Sequence, residues 1–273
     1  MTLAKIFKKR KNIIIGAIHF PPLLGYKDFP GLDVALKNAF ADLRALETGG
    51  ADGVIFENNY DVPHREFVGP ETVAMMTLLG RELRRKTKLP LGVSVLWNDY
   101  RAALSIARVV GAQFIRVPVF VDTVKTNYGI IRGAPRDIIK YRSFIDAKNI
   151  AIFADIHVKH AEIISRANIV QSARHAARAG ADAVIITGRW TADAPDIRDL
   201  ELVRKAVGDF PILAGSGSSI ENIKDLLTRC NGIIVSTSLK RGKNKKNETN
   251  VKNWKQRIEK RRVSEFVGRV HQT

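Results

Sequence analysis

The stretch NIVQSARHAARAGADAVIITG, residues 168–188, contains the unit from which the fold can be predicted. Residues 168–179 have helical periodicity, and Gly180 follows at the position where many helices end in a left-handed residue. The apolar and β-branched residues 183–186 come next, and such a run is typical of a buried strand. A helix, a glycine turn and a buried strand in this order form one link of an alternating α/β fold.

The same unit recurs along the whole chain. Gly50 and Gly111, like Gly180, follow a helical segment and introduce an apolar run. The apolar runs are NIIIGAIH (12–19), GVIFEN (53–58), LGVSVLWN (91–98), QFIRVPVF (113–120), IAIFADIHV (150–158), DAVIITG (182–188), PILAGSG (211–217) and GIIVSTSL (232–239). Eight β-then-α units of about 30 residues each predict a single (β/α)8 TIM barrel over residues 12–239.

An open, doubly wound sheet is the alternative that this alternation allows. It is disfavoured because no G-x-G-x-x-G motif follows the first strand. No low-complexity linker divides the chain, so we expect one domain. In that domain residues 1–11 are a basic N-terminal extension, and residues 240–273 are a basic loop and a final helix.

The positive charge of the chain is concentrated at its two ends. The net charge is +18, and residues 1–11 contain five basic residues and no acidic ones. Residues 240–262 contain eleven basic and two acidic residues. Basic ends attract an anionic membrane surface, an acidic protein partner or nucleic acid. Nucleic acid is disfavoured because the chain has no RNP-like motif, zinc finger or aromatic-interleaved basic groove.

Composition also indicates where the protein works. The chain has no run of about 18 apolar residues, the length that a membrane-spanning helix requires. Its one cysteine, Cys230, excludes an internal disulfide and fits a reducing cytoplasm. We therefore expect a cytoplasmic protein whose basic ends are able to hold it at a membrane surface. We also expect a homo-oligomer.

Residues 150–161, IAIFADIHVKHA, place charged side chains in an otherwise apolar strand. Strand alternation puts Asp155, His157 and Lys159 on one side and the apolar residues between them on the other. We expect the charged side to face the barrel axis and its C-terminal mouth, where such barrels carry out their chemistry. Asp155 and His157 would transfer protons, and Lys159 would stabilise negative charge or contact phosphate. His160 breaks the alternation, so we assign it to the following loop.

Two further residues extend this charged wall. Arg116, on the fourth strand, is expected to point inward as a substrate clamp or as the partner of Asp155 in a salt-bridged layer. Glu57 follows the second strand, as a catalytic carboxylate or a loop cap. Carboxylates and imidazoles also bind divalent metals, which gives such a metal the candidate ligands Asp155, His157, Glu57 and His19. No other cofactor is predicted.

Glycine and serine residues follow the seventh and eighth strands. Gly215, Ser216 and Gly217 lead into a helix start, and the eighth strand ends in Ser236, Thr237 and Ser238. TIM barrels often hold phosphate between these two loops, on backbone amides at a helix N-terminus. Polar residues at other strand ends are expected to complete the substrate site: Asn58, Asn98, Thr187 and Gly188. The long polar loop at 121–137 is expected to act as a lid.

Several motifs resemble the BtpA/SgcQ family of TIM-barrel proteins over nearly the whole chain. They are ENNYDVP (57–63), NDYRAALSIARVVGAQFIRV (98–117), YGIIRGA (128–134), FADIHVKHA (153–161), ITGRWT (186–191), GSG (215–217) and STSLK (236–240). The resemblance implies a barrel similar to the ribulose-phosphate-binding enzymes, and it supports phosphate at residues 215–217. One branch of that family is linked to stabilising photosystem I at the thylakoid surface. Another branch lies among sugar-uptake and sugar-metabolism genes.

Together these patterns predict an enzyme that acts on a phosphorylated sugar or ribosyl compound. Isomerisation, lyase chemistry and glycosyl-bond cleavage all remain open. The alternative is a non-enzymatic assembly or stability factor, similar to the photosystem I branch, which docks through its basic ends on an acidic partner or an anionic membrane.

Overall fold

The computed structural model describes residues 1–242 and 252–271, and eight parallel strands of this part close into a barrel. In chain order the strands are β1 (Ile13–His19), β2 (Gly53–Glu57), β3 (Leu91–Ser94), β4 (Phe114–Val117), β5 (Thr123–Thr126), β6 (Gly129–Arg132), β7 (Ala151–Ile156), β8 (Ala161–Ile163), β9 (Ala183–Thr187), β10 (Ile212–Gly215) and β11 (Gly232–Val235). The barrel closes in the order β1, β2, β3, β4, β7, β9, β10 and β11. The predicted TIM barrel is confirmed, and its strands match the eight apolar runs of the sequence.

Helices alternate with the barrel strands, and most of them cover the outside of the barrel. They are α1 (Leu3–Phe7), α2 (Leu32–Gly49), α3 (Pro70–Lys86), α4 (Tyr100–Val110), α5 (Pro135–Phe144), α6 (Ile169–Arg178), α7 (Ile197–Val207), α8 (Ile223–Leu227) and α9 (Lys260–His271), with a 3-10 turn at Thr237–Leu239. α6 begins after Asn168, whose side chain forms a capping box with Gln171. Gly180 then adopts a φ of 101° before β9. The unit predicted at 168–188 is therefore confirmed.

Alternate residues of β7 point into the barrel and towards the helices, as predicted. Phe153 belongs to the apolar cluster inside the barrel, where its ring stacks on that of Phe114 at a centroid distance of 4.6 Å. The apolar residues 152, 154 and 156 belong to the larger cluster between the strands and the helices. The next inward position, Asp155, therefore lies above the apolar interior, at the C-terminal mouth.

The N-terminal segment closes the bottom of the barrel as well as carrying charge. Leu3, Ile6 and Phe7 of α1 are buried in the same cluster as the inward-facing strand residues. The ring of Phe7 lies 5.7 Å from that of Phe114. The basic side chains between positions 5 and 11 lie at or near the surface. The predicted basic extension thus also supplies part of the core.

The C-terminal segment is joined to the barrel too. Lys240 and Ile258 form an isolated antiparallel bridge, and α9 packs on α2. Arg257 donates a hydrogen bond of 2.8 Å to Oδ2 of the fully buried Asp42. Three residues of the predicted basic loop lie outside the described residues: Lys243, Lys245 and Lys246. None of the helices in the described part of the chain has the length and apolar character needed to cross a membrane.

The loop that was expected to act as a lid folds into a small antiparallel sheet. β5 and β6 form a hairpin, and β5 pairs with β8 on its other edge. Val124 and Ile131 of the hairpin pack with Trp97 and Val158 in a separate apolar cluster. Because Trp97 and Val158 also line the cavity at the barrel mouth, this sheet supports one wall of the site.

Candidate active site

A cavity of about 420 Å³ opens at the C-terminal mouth of the barrel. Glu57 and Arg116 line it from β2 and β4, and the loops after β7, β9, β10 and β11 form its walls. Lys252 and Arg262 of the C-terminal segment also border it. The ends of β2 and β4 and the loops after four other strands therefore line a concavity of the size that small-molecule ligands occupy.

Arg116 binds both carboxylates of the mouth. Its Nε and Nη2 donate to the two oxygens of Asp155 at 2.9 and 2.8 Å, and its Nη1 donates to Glu57 Oε1 at 3.2 Å. All three side chains are buried. Burial alone lowers the pKa of Arg116, but the two carboxylates outweigh this effect and raise it. Arg116 was expected to act either as a substrate clamp or as the partner of Asp155, and in the structure it is the partner of Asp155 in a salt-bridged layer.

His19 stands beside this layer at the end of β1. Its Nε2 lies 3.7 Å from Glu57 Oε2, and the residue lines the cavity. Burial, and then the charges of Lys240 and Lys159, lower the pKa of His19 well below its ordinary value. The imidazole is therefore neutral at pH 7, with one nitrogen able to donate and the other able to accept a hydrogen bond.

Lys159 reaches the cavity from the loop after β7. Its backbone N–H donates to Thr187 Oγ1 at 3.0 Å, and its Nζ lies 3.4 Å from Thr191 Oγ1. Burial, reinforced by the charge of Arg116, lowers its pKa to about 8. About a tenth of the amine is therefore neutral at pH 7 and about half at pH 8. A side chain of this kind is able to act as a base or as a cation.

The predicted inward orientation of His157 is wrong. β7 ends at Ile156, and His157 has a φ of 51°, which breaks the alternation of the strand. Its Nε2 lies 3.3 Å from the carbonyl oxygen of Ala167, and its backbone N–H donates to Asp122 Oδ2 at 3.5 Å. His157 is absent from the cavity lining, so the geometry gives no support to its predicted exchange of protons with Asp155.

His160, which the sequence assigns to a loop outside the charged group, does line the cavity. Its Nε2 lies 2.7 Å from Thr191 Oγ1, and its ring lies 5.3 Å from that of Trp190. Burial, and then the charge of Lys159, lowers its pKa to about 4. His64, in the loop after β2, is a second cavity histidine whose pKa burial lowers to about 4. No residue pattern indicated either one, because their positions depend on loop paths.

The two predicted phosphate loops meet on one wall of the cavity. Ser216, Gly217, Ser236, Thr237 and Ser238 all line it. Ser216 and Gly217 have positive φ values of 69° and 57°. A Cβ atom at position 217 would collide with the backbone nitrogen of Ala194, so glycine is required there. Ser238 Oγ donates to the carbonyl oxygen of Ser218 at 2.8 Å, which ties the two loops together.

Five other predicted substrate residues stand outside the cavity lining: Asn58, Asn98, Thr187, Gly188 and Gly215. The amide of Asn58 bonds the backbone of Leu96, through its oxygen at 2.7 Å and its nitrogen at 3.2 Å. The amide of Asn98 bonds the backbone of Val119 in the same way, at 2.8 and 3.0 Å. These two asparagines therefore position loops around the site, since their amide groups are already engaged.

The four candidate metal ligands are not brought together. Glu57 and Asp155 both bind Arg116, and His157 lies in a separate loop. Within residues 1–242 and 252–271, no three His, Cys, Asp or Glu side chains are arranged to hold a metal ion. A divalent metal at these residues was predicted from the sequence, and it remains a prediction. The arrangement of the four side chains does not support it.

Lys240 is a further cavity residue that sequence reasoning missed. The basic composition of residues 240–262 placed it in a charged C-terminal region, yet its side chain is only 1% exposed and lines the cavity. Burial lowers its pKa to about 8. Its Nζ lies 6.0 Å from the centre of the Tyr60 ring. Because Tyr60 follows β2, the ammonium group lies on the β2 side of the mouth.

Comparisons with known proteins agree with this architecture. A model of the BtpA family matches residues 10–272. An uncharacterized protein of Archaeoglobus fulgidus is 40% identical over 232 residues, which are 85% of this chain and 93% of that protein. The Photosystem I biogenesis protein BtpA of Synechocystis is 37% identical over 233 residues, which are 84% of this chain and 81% of that protein.

Among solved structures, (S)-3-O-geranylgeranylglyceryl phosphate synthase from Thermoplasma acidophilum superposes with a TM-score of 0.62 over all of both chains. That structure contains the substrate sn-glycerol-1-phosphate. The two sequences are 15% identical, so this likeness shows the fold alone.

Proposed function

The chain belongs to the BtpA family, and from this premise we propose that it is an enzyme that binds a phosphorylated sugar or ribosyl compound and moves a proton on it. One observation carries the proposal: a single cavity is lined by the glycine- and serine-containing loop after β10, by the serine- and threonine-containing loop after β11, and by Lys159, whose pKa burial lowers to about 8. The loops supply a phosphate site, and the lysine supplies a base.

The proposed phosphate site is the wall formed by the loops after β10 and β11. Successive backbone N–H groups in a tightly turned loop attract anions, and Ser216 and Gly217 turn the first loop through two positive φ values. Ser236 Oγ is buried and has no hydrogen-bond partner among the described residues, so it is available as a further donor. The same region of other TIM barrels often binds phosphate.

The proposed base is Lys159. Its neutral form would take a proton from a carbon next to a carbonyl group, because an amine with a pKa near the working pH transfers protons efficiently in both directions. The neutral imidazole of His19 lines the same cavity and would donate a hydrogen bond to the carbonyl oxygen as it gains negative charge. Return of a proton to the opposite face of the same carbon gives epimerisation. Its return to the adjacent carbon, with transfer of the hydroxyl proton to the former carbonyl oxygen, gives isomerisation, and neither outcome needs an oxidant or reductant.

Calorimetric titration with sn-glycerol 1-phosphate tests the phosphate site. Gly217→Ala forces a Cβ against Ala194, so it should weaken binding by a factor on the order of ten or more. Gly268→Ala is the matched control, since a Cβ there meets nothing within 4 Å. Equal affinities for the wild type and Gly217→Ala, at equal folded fractions, would exclude this loop as the phosphate site.

Proton exchange in deuterated water tests the base. A panel of ketose and aldose phosphates is incubated with the protein, and deuterium incorporation is followed by NMR. Lys159→Met should lower the exchange rate by about 100-fold or more, while the Kd for the substrate changes little. Lys148→Met is the matched control, because it removes the same charge from an exposed lysine that precedes β7 and lies away from the mouth. Wild-type protein that neither exchanges nor converts any compound of the panel would contradict the proposed reaction.

An assembly factor is the second candidate, and the name of the Synechocystis relative favours it. Such a factor would dock through exposed basic residues of the C-terminal segment, for example Lys260 and Arg261 on α9. Replacing both by Glu should then abolish sedimentation with phosphatidylglycerol vesicles, whereas Lys159→Met should leave sedimentation unchanged. Wild-type protein that fails to sediment with these vesicles excludes docking on an anionic membrane.

A further inference from the structure

The ammonium group of Lys240 is buried and forms no ion pair or hydrogen bond with the described residues, and the nearby group is the Tyr60 ring at 6.0 Å. The residue is 1% exposed, and its Nζ makes no hydrogen bond with any described residue. It lines the same cavity as Lys159. A buried charge is normally paired or hydrogen-bonded, so this exception requires an explanation.

The carboxylates near Lys240 are already engaged. Asp42 accepts a bond from the backbone N–H of Ile258 at one oxygen and from Arg257 at the other, both at 2.8 Å. Glu57 accepts from Arg116 at Oε1, and its Oε2 lies 3.7 Å from His19 Nε2. Neither carboxylate forms an ion pair with Lys240, so they leave its positive charge unpaired.

The backbone around Lys240 is fixed by several contacts. Its N–H donates to the carbonyl oxygen of Thr237 at 3.2 Å, and the residue forms the bridge with Ile258. The N–H of Glu259 donates to the carbonyl oxygen of Leu239 at 3.0 Å. The C-terminal segment therefore holds the lysine at the mouth, and the position of the buried ammonium group is fixed by the fold.

Lys240 directly follows the β11 loop of the proposed phosphate site, but its ammonium group lies on the β1–β2 side of the mouth, whereas Gly217 lies in the loop after β10. The loop at Gly217 packs against Ala194, which follows β9. Lys240 lies near Tyr60, which follows β2, and its charge also acts on His19 at the end of β1. In the closed barrel β11 and β1 separate β10 from β2. A phosphate bound at Gly217 would therefore not occupy Lys240, which would be able to bind a different anionic group of the ligand.

We propose that Lys240 binds a second anionic group of the ligand, so that the substrate class is a small molecule with a phosphate at one end and a carboxylate or second phosphate at the other. The proposal rests on the function proposed above, because it places the first phosphate at the loops after β10 and β11. Lysine suits this role because its ammonium acts as a point charge that either kind of anion satisfies.

Calorimetric titration with three probes tests this inference: sn-glycerol 1-phosphate, 3-phosphoglycerate and fructose 1,6-bisphosphate. The wild type should bind at least one of the two doubly anionic probes more tightly than glycerol phosphate. Lys240→Met should weaken that binding by a factor on the order of ten, while binding of glycerol phosphate stays unchanged. Lys240→Arg, which retains the charge, should keep part of the preference, and Lys148→Met should keep all of it.

The outcomes separate this inference from the proposed function. If glycerol phosphate binds but Lys240→Met weakens all probes equally, Lys240 contacts the first phosphate and the second-group inference is overturned. It is also overturned if Lys240→Met leaves every affinity unchanged. If no probe binds the wild type, the proposed phosphate site fails, and this inference fails with it. Urea unfolding checks that the variants are folded, and we expect Lys240→Met to be at least as stable as the wild type.

Discussion

Arg116 and Asp155 are joined by two parallel hydrogen bonds, from Nε and Nη2 to the two carboxylate oxygens, at 2.9 and 2.8 Å. The two side chains lie on neighbouring barrel strands, β4 and β7, and both are buried. A guanidinium that is held in this way, and also by Glu57, has little freedom to follow a substrate. Positive charge outside this layer is supplied to the cavity by other residues, among them Lys159 and Lys240.

Removing the guanidinium should destabilise the protein strongly. Arg116→Met leaves the buried carboxylates Asp155 and Glu57 without their shared partner, and breaking a buried ion pair costs about 3–5 kcal/mol. The free energy of unfolding from urea titration measures this loss. Arg108→Met is the control, because its pair with Asp146 is largely exposed and is worth less than about 1 kcal/mol. Similar losses in both variants would mean that the buried layer is not the stronger interaction.

Lys159 should make stability depend on pH above 8. Its folded-state pKa of about 8 lies below the ordinary value of 10.5, so between these pH values the unfolded chain binds a proton that the folded chain does not. The free energy of unfolding should therefore rise with pH, by up to about 1.4 kcal/mol per unit from this group. Urea titrations at pH 7, 8, 9 and 10 compare the wild type with Lys159→Met, which should be more stable at pH 7 and should show a smaller rise, because the contribution of Lys240 remains. Parallel pH curves for the two proteins would contradict the lowered pKa.

His160 should make the protein sensitive to acid. Its pKa of about 4 in the folded state lies below the ordinary 6.5, so as pH falls from 6.5 to 4 the unfolded chain gains a proton first. Stability should fall by about 2 kcal/mol across this range because of His160 alone. The comparison is with His160→Gln, whose loss over the same range should be smaller by that amount. NMR adds a direct check: His160 and His64 of the wild type should both titrate near pH 4, and one of these two imidazole resonances should be missing from the variant.

The N-terminal segment should matter for its apolar residues more than for its charge. Phe7 is buried against Phe114 at the bottom of the barrel, and truncation of a buried phenylalanine costs about 3–5 kcal/mol. Phe7→Ala should therefore lower the free energy of unfolding by about 3 kcal/mol or more. Lys5→Ala removes an exposed charge from the same helix and should change stability by less than about 0.5 kcal/mol. A larger loss from Lys5→Ala than from Phe7→Ala would refute the packing role of α1.

The sequence alone determined the barrel and the inward positions of its regular strands. Helical periodicity, glycine turns such as Gly180 and the period of two in β7 are local properties, so residue order was enough to place Phe153 and Asp155 on the inner face. Arg116 was predicted correctly for the same reason. Where backbone geometry is regular, the direction of a side chain follows from its position in the element.

The tertiary structure decided which side chains meet in the cavity. His157 leaves the inner face because the strand ends at Ile156 and the next residue turns to positive φ, whereas Lys159 and His160 come back into the mouth along the loop. Lys240 is buried because the C-terminal segment packs over it from a distant part of the chain. Loop paths and long-range packing depend on the free energy of the whole fold, so they cannot be predicted from a local pattern of residues.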